Sequence, residues 1–110
     1  MLAIAIALVC TALALAAPHS AKVTRVAVKD NFFTSKTVHV ASGGRVTWVW
    51  RGDLPHNVSF RHVPRGASKK PRARTRTTGH FTRRFTAKGR YRYVCTIHED
   101  DGMKGTVVVR

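Results

Sequence analysis

Negative charge is what this sequence has least of. Its 110 residues carry 5 Asp plus Glu against 20 Lys plus Arg, a formal net charge of +15. An excess of that size favours an anionic partner of some kind, whether an acidic protein, nucleic acid, or an anionic membrane or wall surface. Cysteine is almost as scarce, with 2 in the whole chain. No glycine-rich loop of the phosphate-cradling kind is present, and no serine or cysteine stands at an interpretable spacing from a base. Those two gaps exclude the common nucleotide-binding motifs and nucleophilic enzymes. No segment has the apolar spacing and length of a substantial helix, and there is no internal repeat. The length suits one domain and not two.

What is present begins with an apolar leader. The first seventeen residues, MLAIAIALVCTALALAA, carry no charged side chain and end in small residues. We read residues 1–21 as an export signal cleaved after Ala16, Ala17 or Ala21. Its one atypical feature is the lack of a Lys or Arg before the apolar run. The run is short for a membrane span, which needs ~20 apolar residues. Residues 22–110 then form the mature domain, with no transmembrane segment left after cleavage. Cleavage also removes Cys10 and leaves Cys95 alone. A single thiol in an exported protein points to a reactive, intermolecular or metal-bound cysteine. The plain alternative is a buried thiol acting as a small apolar residue.

From Lys22 onward the pattern has a period near two. Val26 and Val28 share a face, as do Val38 and Val40, and Val46, Trp48 and Trp50 follow before a break at Gly52-Asp53. Val58 and Phe60, then Phe81 and Phe85, then Tyr91, Tyr93 and Cys95 continue the series, and KGTVVVR closes it. Short β-branched and aromatic runs about ten residues apart predict an all-β sandwich or barrel of about seven to eight strands. The two tryptophans are expected in its core, and His39, His62 and His80 on its surface. One stretch departs from the pattern. RHVPRGASKKPRARTRTT, residues 61–78, has little apolar content, two prolines and seven Lys or Arg. It is expected to be a long, partly disordered surface loop that adds little to the core.

The chemistry lies near the carboxyl end. Cys95, His98 and Met103 are spaced so that one short loop could carry all three, and His56 follows a separate strand in DLPHNV. An ion that cycles between Cu(I) and Cu(II) with little rearrangement is served by a thiolate, two imidazoles and a weak thioether. A structural zinc ion also accepts Cys and two His, although such sites usually hold more thiolates. Four donors would leave no open position for a substrate, so no enzyme emerges.

The chain resembles a cupredoxin, the blue-copper family of plastocyanin and amicyanin. The residues that carry the likeness are VKDNFF, VTW, DLPHNV, Phe81 and Phe85, then Gly89, Tyr91, Tyr93 and Cys95, then His98, Gly102 and Met103, and the terminal valine strand. The likeness spans roughly residues 23–110 and implies a Greek-key sandwich with one type 1 copper ion. It implies that His56 and His98 ligate through nitrogen, Cys95 through thiolate sulfur and Met103 as a long axial thioether. It also implies that Asn57 ties its strand to the cysteine loop, with Thr96 as partner, and that the exposed edge of His98 lies in a small apolar patch where partners dock. Ile97 stands where the family often has proline, and Glu99, Asp100 and Asp101 put three carboxylates beside the ligand loop.

These readings lead to an exported, monomeric carrier of single electrons in the periplasm or at the cell surface. Its redox protein partners would have acidic docking surfaces, with no specific nucleic acid among them. Arg61, Arg65, Lys69, Lys70, Arg72, Arg74 and Arg76 are the candidate steering residues. Two alternatives remain open: a copper chaperone or storage protein without redox relay, and a polyanion-binding protein that uses the basic loop. The lack of aromatic residues within the basic run weighs against single-stranded nucleic acid.

Overall fold

Successive strand side chains point to opposite faces, so a run such as RVTWVW commits Val46, Trp48 and Trp50 to one side. The computed structural model describes residues 3–5 and 23–110. The segment read as an export signal lies outside the described residues, apart from positions 3–5. Eight strands follow in order: β1 (Val23–Val28), β2 (Thr37–Val40), β3 (Arg45–Trp50), β4 (His56–His62), β5 (Ala73–Arg76), β6 (His80–Arg84), β7 (Gly89–Val94) and β8 (Lys104–Val109). They form a three-stranded sheet in the order β1-β3-β6 and a five-stranded sheet in the order β2-β8-β7-β4-β5. The chain thus passes repeatedly from one sheet to the other, as a sandwich of this kind requires. β1 runs parallel to β3 and β2 parallel to β8, while the other pairings are antiparallel.

The inward faces of the two sheets meet in a single core. Val26, Val28, Val46, Trp48, Val58, Tyr91, Tyr93 and Val107 are buried in it. Trp48 lies at the centre, stacked on Phe81 at 5.5 Å between ring centroids and edge-on to Tyr93 at 5.2 Å. Aromatic pairs of this geometry add roughly 0.5–1.5 kcal/mol each beyond the area they bury. His39, His62 and His80 are exposed and Trp50 is buried, as expected, although His62 shares the parity of the buried Val58 and Phe60 on β4.

The basic segment corrects one expectation. Residues 61–78 are not one long, partly disordered surface loop: β4 runs on through His62, and Ala73–Arg76 form β5, an edge strand on β4. Ala73 is buried, and Val63 and Ala67 pack on the core. The physical reason lies in Arg83. It faces inward from β6, with its guanidinium 4.4 Å from the Phe60 ring centre and 5.1 Å from that of Phe85. From there it donates to the backbone oxygens of Pro71 at 3.2 Å and Ser68 at 2.6 Å. A charged group covered this way needs acceptors, and the loop supplies them.

Strand pairing also fixes where the ends meet. β4 pairs antiparallel with β7, with Ser59 opposite Val94, and β7 pairs antiparallel with β8, with Val94 opposite Lys104. The start of β4, the end of β7 and the start of β8 therefore lie at one end of the sandwich. His56, Cys95 and Met103 occupy those positions.

Candidate metal centre

Cys95 follows directly on β7 and is fully buried. Its N–H donates to the Met103 carbonyl at 3.0 Å, while the His98 N–H donates to the Cys95 carbonyl at 3.2 Å. The chain then makes a short 3-10 turn over Glu99–Asp101, and Gly102 ends it with φ at 82°. Only a residue tolerant of that left-handed conformation reverses the chain here without strain. The reversal brings the Met103 N–H to the His98 carbonyl at 3.2 Å and leaves Met103 fully buried. One tight loop thus carries Cys95, His98 and Met103.

His56 opens β4 and is buried without exposure. Its Nδ1 is 3.8 Å from Cys95 Sγ, and His98 Nδ1 is 3.7 Å from the same sulfur. One ligand atom from each of His56, Cys95 and His98 lies within 4.8 Å of the others. Ions of this class bond thiolate sulfur and imidazole nitrogen at ~2.0–2.3 Å, so donors spaced in this way can converge on one centre. His98 is partly exposed and the other two are buried. A thiolate, two imidazoles and a neighbouring thioether make a donor set suited to copper.

Hydrogen bonds hold the two halves of the site together. Asn57 Nδ2 donates to Thr96 Oγ1 at 2.8 Å, and the Thr96 N–H donates to Asn57 Oδ1 at 3.0 Å. Asn57 also donates to Thr75 Oγ1 at 3.1 Å, which fastens β5 to the same strand. Trp50 Nε1 donates to the His56 carbonyl at 3.1 Å.

Electrostatics around the centre are uneven. All five carboxylates of the sequence, Asp30, Asp53, Glu99, Asp100 and Asp101, adjoin the ligand-bearing segments in sequence or through a hydrogen bond. Glu99 is held by Arg61, with Nη2 2.7 Å and Nε 3.3 Å from its two oxygens. That hydrogen bond pulls the Glu99 carboxyl below its ordinary range. Asp30 lies 2.8 Å from His56 Nε2. The His56 ring, then the backbone N–H groups of Leu54 and Asp53, lower the Asp30 carboxyl to about 2.

The sequence singles out His56, Cys95, His98 and Met103 but not Asp30 or Arg83. The structure brings donor atoms of the first three within 4.8 Å of one another and buries Met103 on the same loop as Cys95 and His98. Asp30 is 26 residues from His56, and no periodicity links the two. A signal for Arg83 was available, because strand alternation from Phe81 to Phe85 directs position 83 inward with them. Arg61, one of the candidate steering residues, is paired with Glu99 at 2.7 Å. Arg76 donates to the His80 carbonyl and lies over Trp50 at 5.2 Å. Arg65, Lys69, Lys70, Arg72 and Arg74 are exposed.

Comparison with known proteins agrees with this geometry. The family described as "Copper binding proteins, plastocyanin/azurin family" matches residues 20–110. Amicyanin-alpha of Methylorubrum extorquens is 38% identical over 89 residues, spanning 78% of this chain and 71% of that one. Plastocyanin of Scenedesmus fuscus is 33% identical over 84 residues, spanning 71% of this chain and 86% of that one. Among solved structures, a reduced Cu(I) form of an amicyanin variant superposes with a TM-score of 0.67 at 29% identity, covering 80% of this chain and 82% of its own. A mutant fern plastocyanin gives 0.68 at 25% identity, covering 79% and 100%. The sandwich, the converging donors and these likenesses agree, and this chain belongs to the plastocyanin/azurin family of copper-binding proteins.

Proposed function

We propose that this protein is an exported carrier of single electrons that works with a type 1 copper ion held by His56, Cys95, His98 and Met103. The observation that carries the reading is the convergence of three donor atoms within 4.8 Å from two separate parts of the chain. Copper bound there would supply the one-electron chemistry by alternating between Cu(I) and Cu(II). Cys95 contributes the thiolate, and His56 and His98 each turn Nδ1 toward it. The Asn57–Thr96 tie and the Met103–Cys95 backbone bond hold the donors in place, so little has to move when the charge changes. His98, the only partly exposed member of the triad, offers the shortest way in for an electron. Ile97 beside it is 51% exposed and Leu54, two residues before His56, is 45% exposed, which suits an apolar contact with a partner.

The partner in this proposal is a redox protein with an acidic docking surface. Arg65, Lys69, Lys70, Arg72 and Arg74 are exposed on a segment that β5 joins to the copper-bearing strand. Attraction to that flank raises the encounter rate and turns the copper end toward the partner. The uncharged leader with small residues at its end supports export.

Voltammetry on the copper-loaded protein tests the reading. Reversible one-electron waves without metal loss over repeated cycles are expected. Release of copper on reduction would favour delivery or storage of the metal, and preferential uptake of zinc would defeat both readings.

A further inference from the structure

Asp30 holds more of the copper end together than its place after β1 would suggest. Its Oδ1 lies 2.8 Å from His56 Nε2 and accepts the N–H of Leu54 at 3.0 Å. Both of its oxygens accept the Asp53 N–H at 3.1 Å. One carboxylate therefore grips the backbone just before Pro55-His56 and the far side of the imidazole. Gly52 makes room for it. A Cβ at Gly52 would collide with Asp30 Oδ1 and come within 2.9 Å of the Asp30 backbone nitrogen. Trp50 fixes the same histidine from behind, through its carbonyl.

We propose that Asp30 is the positioning residue for His56 and that, with the space left by Gly52, it sets the reduction potential of the centre. By accepting the Nε2–H it leaves the Nδ1 lone pair free and aimed at Cys95. A carboxylate on the outer nitrogen makes an imidazole a stronger donor and fixes its ring. A stronger donor with a full negative charge behind it favours Cu(II) over Cu(I), so Asp30 holds the potential below the value that a neutral acceptor would give. This inference rests on the copper reading above.

The test compares wild type, Asp30→Asn, Gly52→Ala and a control, Glu99→Gln. The control removes one charge beside His98 without touching a donor. Asp30→Asn keeps an acceptor oxygen of the same shape, so it is expected to keep copper and colour while its potential rises by more than that of Glu99→Gln. Gly52→Ala, which evicts the carboxylate, is expected to shift the potential in the same direction. Nitrogen-15 NMR of the copper-free wild type is expected to show His56 protonated on Nε2. A potential in Asp30→Asn that moves no further than in the control, or a His56 protonated on Nδ1, overturns the proposal. If the wild type takes up no blue copper the function reading falls, and the tautomer alone then decides whether Asp30 orients the ring.

Discussion

Asn57 and Thr96 grip each other at both ends, amide to hydroxyl at 2.8 Å and backbone N–H to amide oxygen at 3.0 Å. Asn57 also takes a bond from Ser59 Oγ at 3.0 Å and gives one to Thr75, so its buried amide uses its full donor and acceptor capacity locally. Asn57→Ala leaves the Thr96 N–H without that acceptor and cuts the link between β4 and the cysteine loop. The expected loss is about 2–4 kcal/mol, from a net ~1 kcal/mol for each bond removed. Urea denaturation of the copper-free variant measures it, and faster copper release from the loaded variant is expected beside it.

Arg83 makes a separate prediction, because it anchors the basic segment without touching the metal centre. Arg83→Ala removes two charge-assisted bonds to Ser68 and Pro71 and the contact with Phe60. Hydrogen bonds to charged groups contribute ~1.5–3 kcal/mol each. We expect a loss of about 2–4 kcal/mol overall, since water repairs part of the damage. Amide exchange over residues 65–72 is expected to accelerate, while the absorption spectrum of the copper form stays unchanged.

How far the sequence anticipates these features depends on the range over which each signal acts. Strand alternation is local, so Val46, Trp48 and Trp50, or Tyr91 and Tyr93, declare their face within a few residues. The spacing of Cys95, His98 and Met103 is equally local and shows on inspection. His56 lies far from that loop; its place after a separate strand marks it as a candidate second imidazole, and the family likeness implies its ligand role. Asp30 and Arg83 were missed for different reasons. Asp30 reaches its partner only because β1 and β3 lie side by side, which no local pattern records. Arg83 was masked by its charge, and with it went the order of residues 61–78, whose low apolar content suggested disorder. Buried cation–aromatic packing with carbonyl acceptors stands in there for the missing apolar side chains.

Alkaline pH reports on Tyr93. Burial pushes its hydroxyl up to about 12, against ~10 for an ordinary tyrosine. The native state keeps this proton after the unfolded chain has lost it. Its contribution is therefore fully present below about pH 10 and is lost as the pH climbs from there toward about 12. Tyr93→Phe is expected to flatten that part of the stability profile, measured as urea midpoints on the copper-free protein. An unchanged alkaline slope in the variant would remove Tyr93 as the cause.

Steering by the basic segment is tested by kinetics. Replacing Lys69, Lys70, Arg72 and Arg74 with Gln is expected to lower the second-order rate with an acidic redox protein by roughly tenfold at low salt. It is also expected to flatten the ionic-strength dependence, while the reduction potential stays where it was. A wild-type rate that does not vary with salt would remove the steering proposal.

The central claim is that the Cys95 thiolate binds copper with two imidazoles beside it, and its most direct test is the absorption spectrum of the protein after copper(II) addition. An intense thiolate-to-copper band near ~600 nm is predicted for the wild type, with its loss in Cys95→Ser. A colourless wild type, or a band that survives in Cys95→Ser, would contradict the account.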